Sequence, residues 1–301
     1  MFKKLQPHDY RHLKPWFDGQ LYPLCPYSLA SMMIWSGCLH EAFWREDGGT
    51  LFLSEVDIED KSRRRMLLPL LRPFRYPTPR ELAEAARALD FPGYHYVPQD
   101  YVEIIGADNL CCYFTLQEED GYGDYVYSAA DLALLKGHKY SKKRNLIAQF
   151  LKACGPAAAV KPLEGECLHA CLQLFDHWEK VKGGPVIEAI PNCERKAIVN
   201  ALEHFKELEM SGVAVELDGR MAGFAFGSRL TADTWTLNFE KADPGVKGLY
   251  QYLDSEAAKA APPGYSVLNK ENDLGLPGLK KAKESYFPTR VIKSYILTLK
   301  S

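Results

Sequence analysis

The chain has 301 residues, of which 47% are hydrophobic and 12% aromatic, and its 37 Lys and Arg stand against 39 Asp and Glu. A charge balance so close to zero excludes a general pull on nucleic acid or on an anionic membrane surface, and the apolar content is enough for two cores. No apolar run is as long as a secretory leader or a spanning helix, so a cytoplasmic protein is expected, with its eight cysteines held as reduced thiols in or near the core.

In chain order, a helix is expected from Pro26 to Ser36, followed by strands near 50–55 and 65–71. In TPRELAEAARAL a helix starts with Thr78 as N-cap, Pro79 at the first position and Glu81 closing a capping box. NLCCYFTL (109–116) reads as a strand, and SAADLALL opens a helix capped by Ser128. The segment LKGHKYSKKRNLIAQFL then gathers Lys136, Lys139, Lys142, Lys143 and Arg144 without a carboxylate. It is either a solvated helix face or an anion-binding surface, on a helix that ends before Gly155-Pro156. That Gly-Pro pair is the expected boundary between two domains, 1–155 and 156–301.

Beyond it, AAAVKPL (157–163) suits a strand, and residues 164–181 have the period of an amphipathic helix. Within that stretch Cys167, His169, Cys171 and His177 look like metal ligands, but His169 falls about 200° around the helix from Cys167 at 100° per residue, so packing is the expected role. A second helix is expected from Asn192 as N-cap through Met210. The period then changes to two: VAVELDGRMAGFAFGSRL is a hairpin turning at Asp218-Gly219, and a strand follows over 234–242. A helix (LYQYLDSEAAKAA), a strand (YSVLN), a helix (LPGLKKAKESY) and a last strand (RVIKSYILTL) complete the order β-α-α-β-β-β-α-β-α-β.

This order resembles that of the GNAT acyltransferases. Four longer stretches, YSAADLALLKGHKYSKKRNLIAQF, GVAVELDGRMAGFAFGSRL, NFEKAD followed by GLYQYL, and NKENDLGLPGLKKAKESYFP, are similar to the lysylphosphatidylglycerol-synthase C-terminal-like family. The resemblance implies a mixed α/β fold of two tandem GNAT-like domains, the first a degenerate copy, each a mostly antiparallel sheet flanked by helices. It also implies transfer of an aminoacyl group from tRNA, or of an acyl group from CoA, to an amine or hydroxyl acceptor. Neither donor would be a tightly bound cofactor. The acceptor would be a small molecule or peptide, and the tRNA acceptor end a partner. A non-catalytic binder of an acidic small molecule or RNA is the alternative.

By the same resemblance Glu240, at the end of the fourth strand, is the candidate base, and Tyr286, at the end of the last helix, the candidate acid. In GVKGLY only Gly248 matches the acetyl-CoA pyrophosphate loop. Gly245 stands in place of its polar residue and Tyr250 in place of its last small one, which disfavours acetyl-CoA. Donor binding is expected at Lys142, Lys143, Arg144, Asn145, Lys247 and Gly248, and at Lys280, Lys281 and Lys283 of a second basic helix facing the first across a cleft. Asp243, Asn269, Glu271 and Asp273 are candidates for the acceptor; no metal site is expected.

Overall fold

The computed structural model describes residues 1–164, 167–182 and 190–300. The chain first forms β1 (Lys3–Lys4), α1 (Tyr10–Phe17), α2 (Leu29–Trp35), β2 (His40–Asp47), β3 (Thr50–Asp57), β4 (Arg64–Met66) and β5 (Leu70–Leu71). There follow α3 (Pro79–Leu89), β6 (Gly93–Pro98), α4 (Gln99–Ile105), α5 (Ala107–Cys111), β7 (Phe114–Glu118), β8 (Asp124–Ser128), α6 (Ala129–Leu134) and α7 (Ser141–Cys154). The remainder is β9 (Ala158–Pro162), α8 (Leu168–Lys182), α9 (Ile190–Glu203), β10 (Ser211–Leu217), β11 (Arg220–Arg229), β12 (Thr234–Ala242), α10 (Leu249–Ala260), β13 (Val267–Asn269), α11 (Pro277–Glu284), β14 (Arg290–Ile292) and β15 (Ser294–Leu299).

Two mixed sheets result. The first runs β1-β2-β3-β4-β6-β15-β7, with β5 paired to β3; the second runs β14-β8-β13-β12-β11-β10-β9. The sheets exchange strands. β8, from before Gly155, lies inside the second sheet between β13 and β14, while β15 fills the gap between β6 and β7 of the first. RVIKSYILTL is therefore two strands, and Lys293 is the residue at which the chain leaves one sheet for the other.

Side-chain alternation in β11 explains how the layers stack. Phe224 and Phe226 enter a core continuous with that of the first sheet, whereas Ala225 enters a smaller one under α7 and α10, where a bulge between Met221 and Gly223 places Ala222 as well. Between the sheets lies α2, with every residue from Leu29 to Ile34 buried and Ser28 capping the Ser31 amide. A helix that is apolar on all sides is stable only when both of its faces are covered.

Several local expectations need correction. The expected helix at Pro26 starts later, after a short 3-10 turn over Cys25–Tyr27. The expected strand over 109–116 begins only at Phe114, because Asn109 turns its side chain back onto the Ile105 carbonyl at 2.7 Å and holds α5 helical. The helix expected to reach Met210 stops at Glu203: Glu209 has a positive φ of 51°, and the Met210 amide returns to the Phe205 carbonyl. Asn192 lies inside α9, not at its cap, and residues 165–166 of the expected 164–181 helix lie outside the described residues. Nor are all cysteines reduced. Cys38 and Cys193 form a disulfide that ties the segment before β2 to α9, and among the six free ones Cys111 and Cys112 are exposed. Two cysteines 155 residues apart in sequence give no sign of their proximity.

Candidate active site

β12 and β13 run parallel only from Thr234 to Thr236 and from Val267 to Asn269. Past that point β12 continues along β11 alone, and the chain beyond Asn269 turns away. A cavity of about 690 Å³ opens there, reached by side chains of α2, α7, α10 and α11 and by Glu55, Arg65 and Tyr96 of the first sheet. The size is that of a small-molecule site.

Its lining is balanced in charge, with five carboxylates (Glu55, Glu194, Glu240, Asp254, Glu271) and five cations (Arg65, Lys143, Lys241, Lys270, Lys283). At the centre the Lys270 ammonium bridges Glu240 at 2.9 Å and Asp254 at 2.8 Å. One cation thus answers two carboxylates. Burial, together with repulsion from Asp254 and against the pull of Lys270, pushes the Glu240 carboxyl up to about 7. Burial works against the Lys270 charge, but its two carboxylates prevail and hold its pKa above the ordinary lysine value. Tyr286 lies beside this triad, 8% exposed, with its phenol pushed upward by burial and by Asp254 and Glu240.

Three charged groups here have no oppositely charged partner within ion-pair distance among the described residues. Lys143 donates to the Ser285 hydroxyl at 2.7 Å and sits 3.6 Å from the centre of the Tyr286 ring, and its pKa is lowered by burial. Lys283 donates to the carbonyls of Lys270 and Glu271 and is likewise lowered by burial. Glu271 accepts from Asn238 Nδ2 at 3.0 Å, and burial pushes it up to about 8. Two other cations are neutralised: Lys241 by Glu194 at 2.8 Å, and Arg65 by Glu55 at 2.9 Å.

Of the residues singled out from the sequence, the fold brings Glu240, Tyr286, Lys143, Lys283 and Glu271 into this one cavity. It sends the others elsewhere. Lys142, Arg144, Asn145, Lys247, Lys280 and Lys281 are exposed outside it, and Arg144 donates to the Leu135 and Gly137 carbonyls. Gly248 is buried with φ 84°, and a side chain there would collide with the Leu146 carbonyl of α7, so α7 packs directly on this glycine. The two basic helices do not face each other across a cleft. They meet, through Lys143 on Ser285 and the Tyr140 hydroxyl on the Tyr286 carbonyl at 3.1 Å.

Three acceptor candidates serve the scaffold. Asn269 is buried between the Pro23 carbonyl and Asp124, Asp273 accepts from the Tyr125 hydroxyl at 2.6 Å, and Asp243 closes a turn onto the Gly245 amide. The sequence reading missed Lys270, although it stands inside the NKENDLG stretch, and Asp254, which α10 carries five residues beyond the start of the helix. It also missed Asn238, the extra residue of a bulge in β12 between Leu237 and Phe239, which brings its amide to the cavity. A bulge of this kind leaves no period-two signal in the sequence.

No curated protein matches the chain. Among solved structures, a conserved protein of unknown function from Bacteroides thetaiotaomicron is 27% identical, with a TM-score of 0.89 over 99% of both chains. L-PGS from Bacillus licheniformis has a TM-score of 0.62 at 13% identity, covering 98% of this chain and 93% of that one. The C-terminal domain of a putative lysylphosphatidylglycerol synthetase from Agrobacterium fabrum gives 0.58 at 12%, over 90% and 87%. FemX gives 0.58 at 9%, over 100% and 97%, so the fold is that of the GNAT-like acyltransferases and FemX. Among the described residues no helix is long and apolar enough to cross a membrane. The profile of the family described as "Phosphatidylglycerol lysyltransferase, C-terminal" matches residues 27–298, and the chain belongs to that family.

Proposed function

We propose that this protein is an aminoacyltransferase that moves an aminoacyl group from tRNA onto an amine bound in the cavity. The observation that carries this reading is the meeting of Glu240 and Tyr286 with uncompensated cations and a second carboxylate, Glu271, in one enclosed space. Two further features favour tRNA over CoA as donor. One is Gly248, over which the Leu146 carbonyl and Phe150 of α7 close, so a pyrophosphate lying on the backbone there is disfavoured. The exposed Lys280 and Lys281 flank Leu279 and Ala282 on the rim of the cavity, and Lys142 adjoins Lys143, so phosphates of an acceptor end would find cations just outside.

In the proposed step the acceptor ammonium gives one proton to Glu240 and its nitrogen attacks the ester carbonyl. The C–N bond forms and the C–O bond to the ribose breaks. Tyr286 protonates the departing oxygen and recovers a proton from the nitrogen, so that one proton per turnover finally leaves Glu240 for solvent. Burial of the carbonyl beside the Lys270 ammonium stabilises the developing oxyanion.

The test is incubation of the purified protein with aminoacyl-tRNA and a mixture of small amines, with detection of new amide and of uncharged tRNA. Amide formation supports the reading. Binding of tRNA without product would make the protein a binder, and release of free thiol from acyl-CoA would replace the donor.

A further inference from the structure

The cavity holds one buried acceptor atom that the protein does not satisfy. Asp254 is 2% exposed; its Oδ1 receives Lys270 at 2.8 Å, but its Oδ2 has no hydrogen-bond donor among the described residues. A carboxylate oxygen withdrawn from water and left without a donor is costly, and it is retained where a ligand supplies the missing hydrogen. The Lys143 ammonium lies 3.6 Å from the centre of the Tyr286 ring, without a carboxylate at ion-pair distance, and feels the charges of Asp254 and Glu240. Unsatisfied acceptor and uncompensated cation thus both adjoin Tyr286, whose phenol is close enough to Asp254 to be raised by it but makes no hydrogen bond to Oδ2. Glu240, the proposed base, adjoins the acceptor through their shared Lys270.

We propose that the acceptor is a small zwitterion, an amine that carries its own anionic group close by, with the ammonium on Asp254 Oδ2 and the anion on Lys143. This assignment rests on the transferase reading above. An uncharged amine would leave Lys143 unanswered, and a polyamine would add cations to a site where two of the four lysine ammonium groups, Lys143 and Lys283, already lack a carboxylate partner. The placement also puts the reacting nitrogen next to Glu240, while Glu271 and Lys283 remain for the donor's aminoacyl group. A volume of about 690 Å³ has room for two ligands of amino-acid size.

Calorimetric titration of the whole protein tests this without turnover. The probes are L-alanine, alaninamide, propionate, ethylamine and phosphoethanolamine. Saturable binding is expected of alanine or of phosphoethanolamine, whichever has the right anion, at least tenfold tighter than of alaninamide, propionate or ethylamine. In Lys143→Met alanine and alaninamide should bind alike, and because the comparison is between ligands, a general loss of affinity would not imitate it. If neither alanine nor phosphoethanolamine binds the unaltered protein more tightly than alaninamide, propionate and ethylamine do, the proposal is overturned, as it is by binding of none of the probes. Zwitterion binding with no amide formed from any donor would sink the transferase reading and leave this site standing. Amide formation on ethylamine as readily as on alanine would do the reverse.

Discussion

Glu240 and Glu271 are the two cavity carboxyls that burial pushes up, and each has its own consequence for pH. With Glu240 as base, the transfer rate should rise with pH through about 7, since only the deprotonated form accepts the ammonium proton. Glu240→Gln should lower turnover by about 10²–10⁴-fold and remove that rise; a variant that keeps the rate and the profile would assign the base elsewhere. For Glu271 the expected effect is on stability. Its folded pKa, about 8, lies above the ordinary carboxyl value, so the folded state holds the proton more tightly, and the stability this contributes is present at low pH and lost as pH rises towards 8. Glu271→Gln keeps the acceptor for Asn238 but cannot ionise. Its melting temperature should match that of the unaltered protein near pH 5 and exceed it above pH 8. At this scale the sequence revealed residue types better than partners. Glu240 could be picked out by its place on a strand, but its ion pair is with Lys270, just past the end of β13 and 30 residues away, and Lys241, its sequence neighbour, pairs instead with Glu194 of α9.

Helices and strands were the most legible level, because periodicity and caps are local. The Thr78 and Glu81 capping box, the turn at Asp218-Gly219 and the order from β9 to α11 all follow from short-range chemistry. What periodicity does not carry is which helix covers which surface. Gly248 illustrates this: its positive φ and its place before α10 suit a phosphate loop equally well, yet the space above it belongs to the Leu146 carbonyl and Phe150 of α7. Gly248→Ala should therefore destabilise the protein by about 2 kcal/mol or more, from positive φ together with backbone collision. Denaturant unfolding measures it. A loss near zero, with altered affinity for acyl-CoA, would show instead that the glycine is kept for a ligand. The basic helix divides in the same way, since α7 turns Lys143 inward and Lys142 and Arg144 outward.

The whole molecule is one in which neither half completes its own sheet. A fragment of residues 1–155 would lack β15, the strand between β6 and β7, and would carry β8 with no partner. It should be largely unfolded by circular dichroism and prone to aggregate through the open edges of β6 and β7; a monomeric fragment with a cooperative melting transition would show that the gap can close without β15. The Gly155-Pro156 break precedes the second sheet's own run of strands, yet β8 and β15 each cross it, and no local signal told of an exchange whose partners are so far apart in sequence. The exchange also sets a timetable. Pro98 pairs with Ser294, so on a ribosome adding about 5–20 residues per second the first sheet waits tens of seconds for the strand that joins β6 to β7. During that interval the cavity wall that carries Tyr96 cannot be finished. A nascent chain would expose unpaired strand edges while still being unable to engage a substrate, and its dependence on chaperones should exceed that of a protein whose two domains fold one after the other.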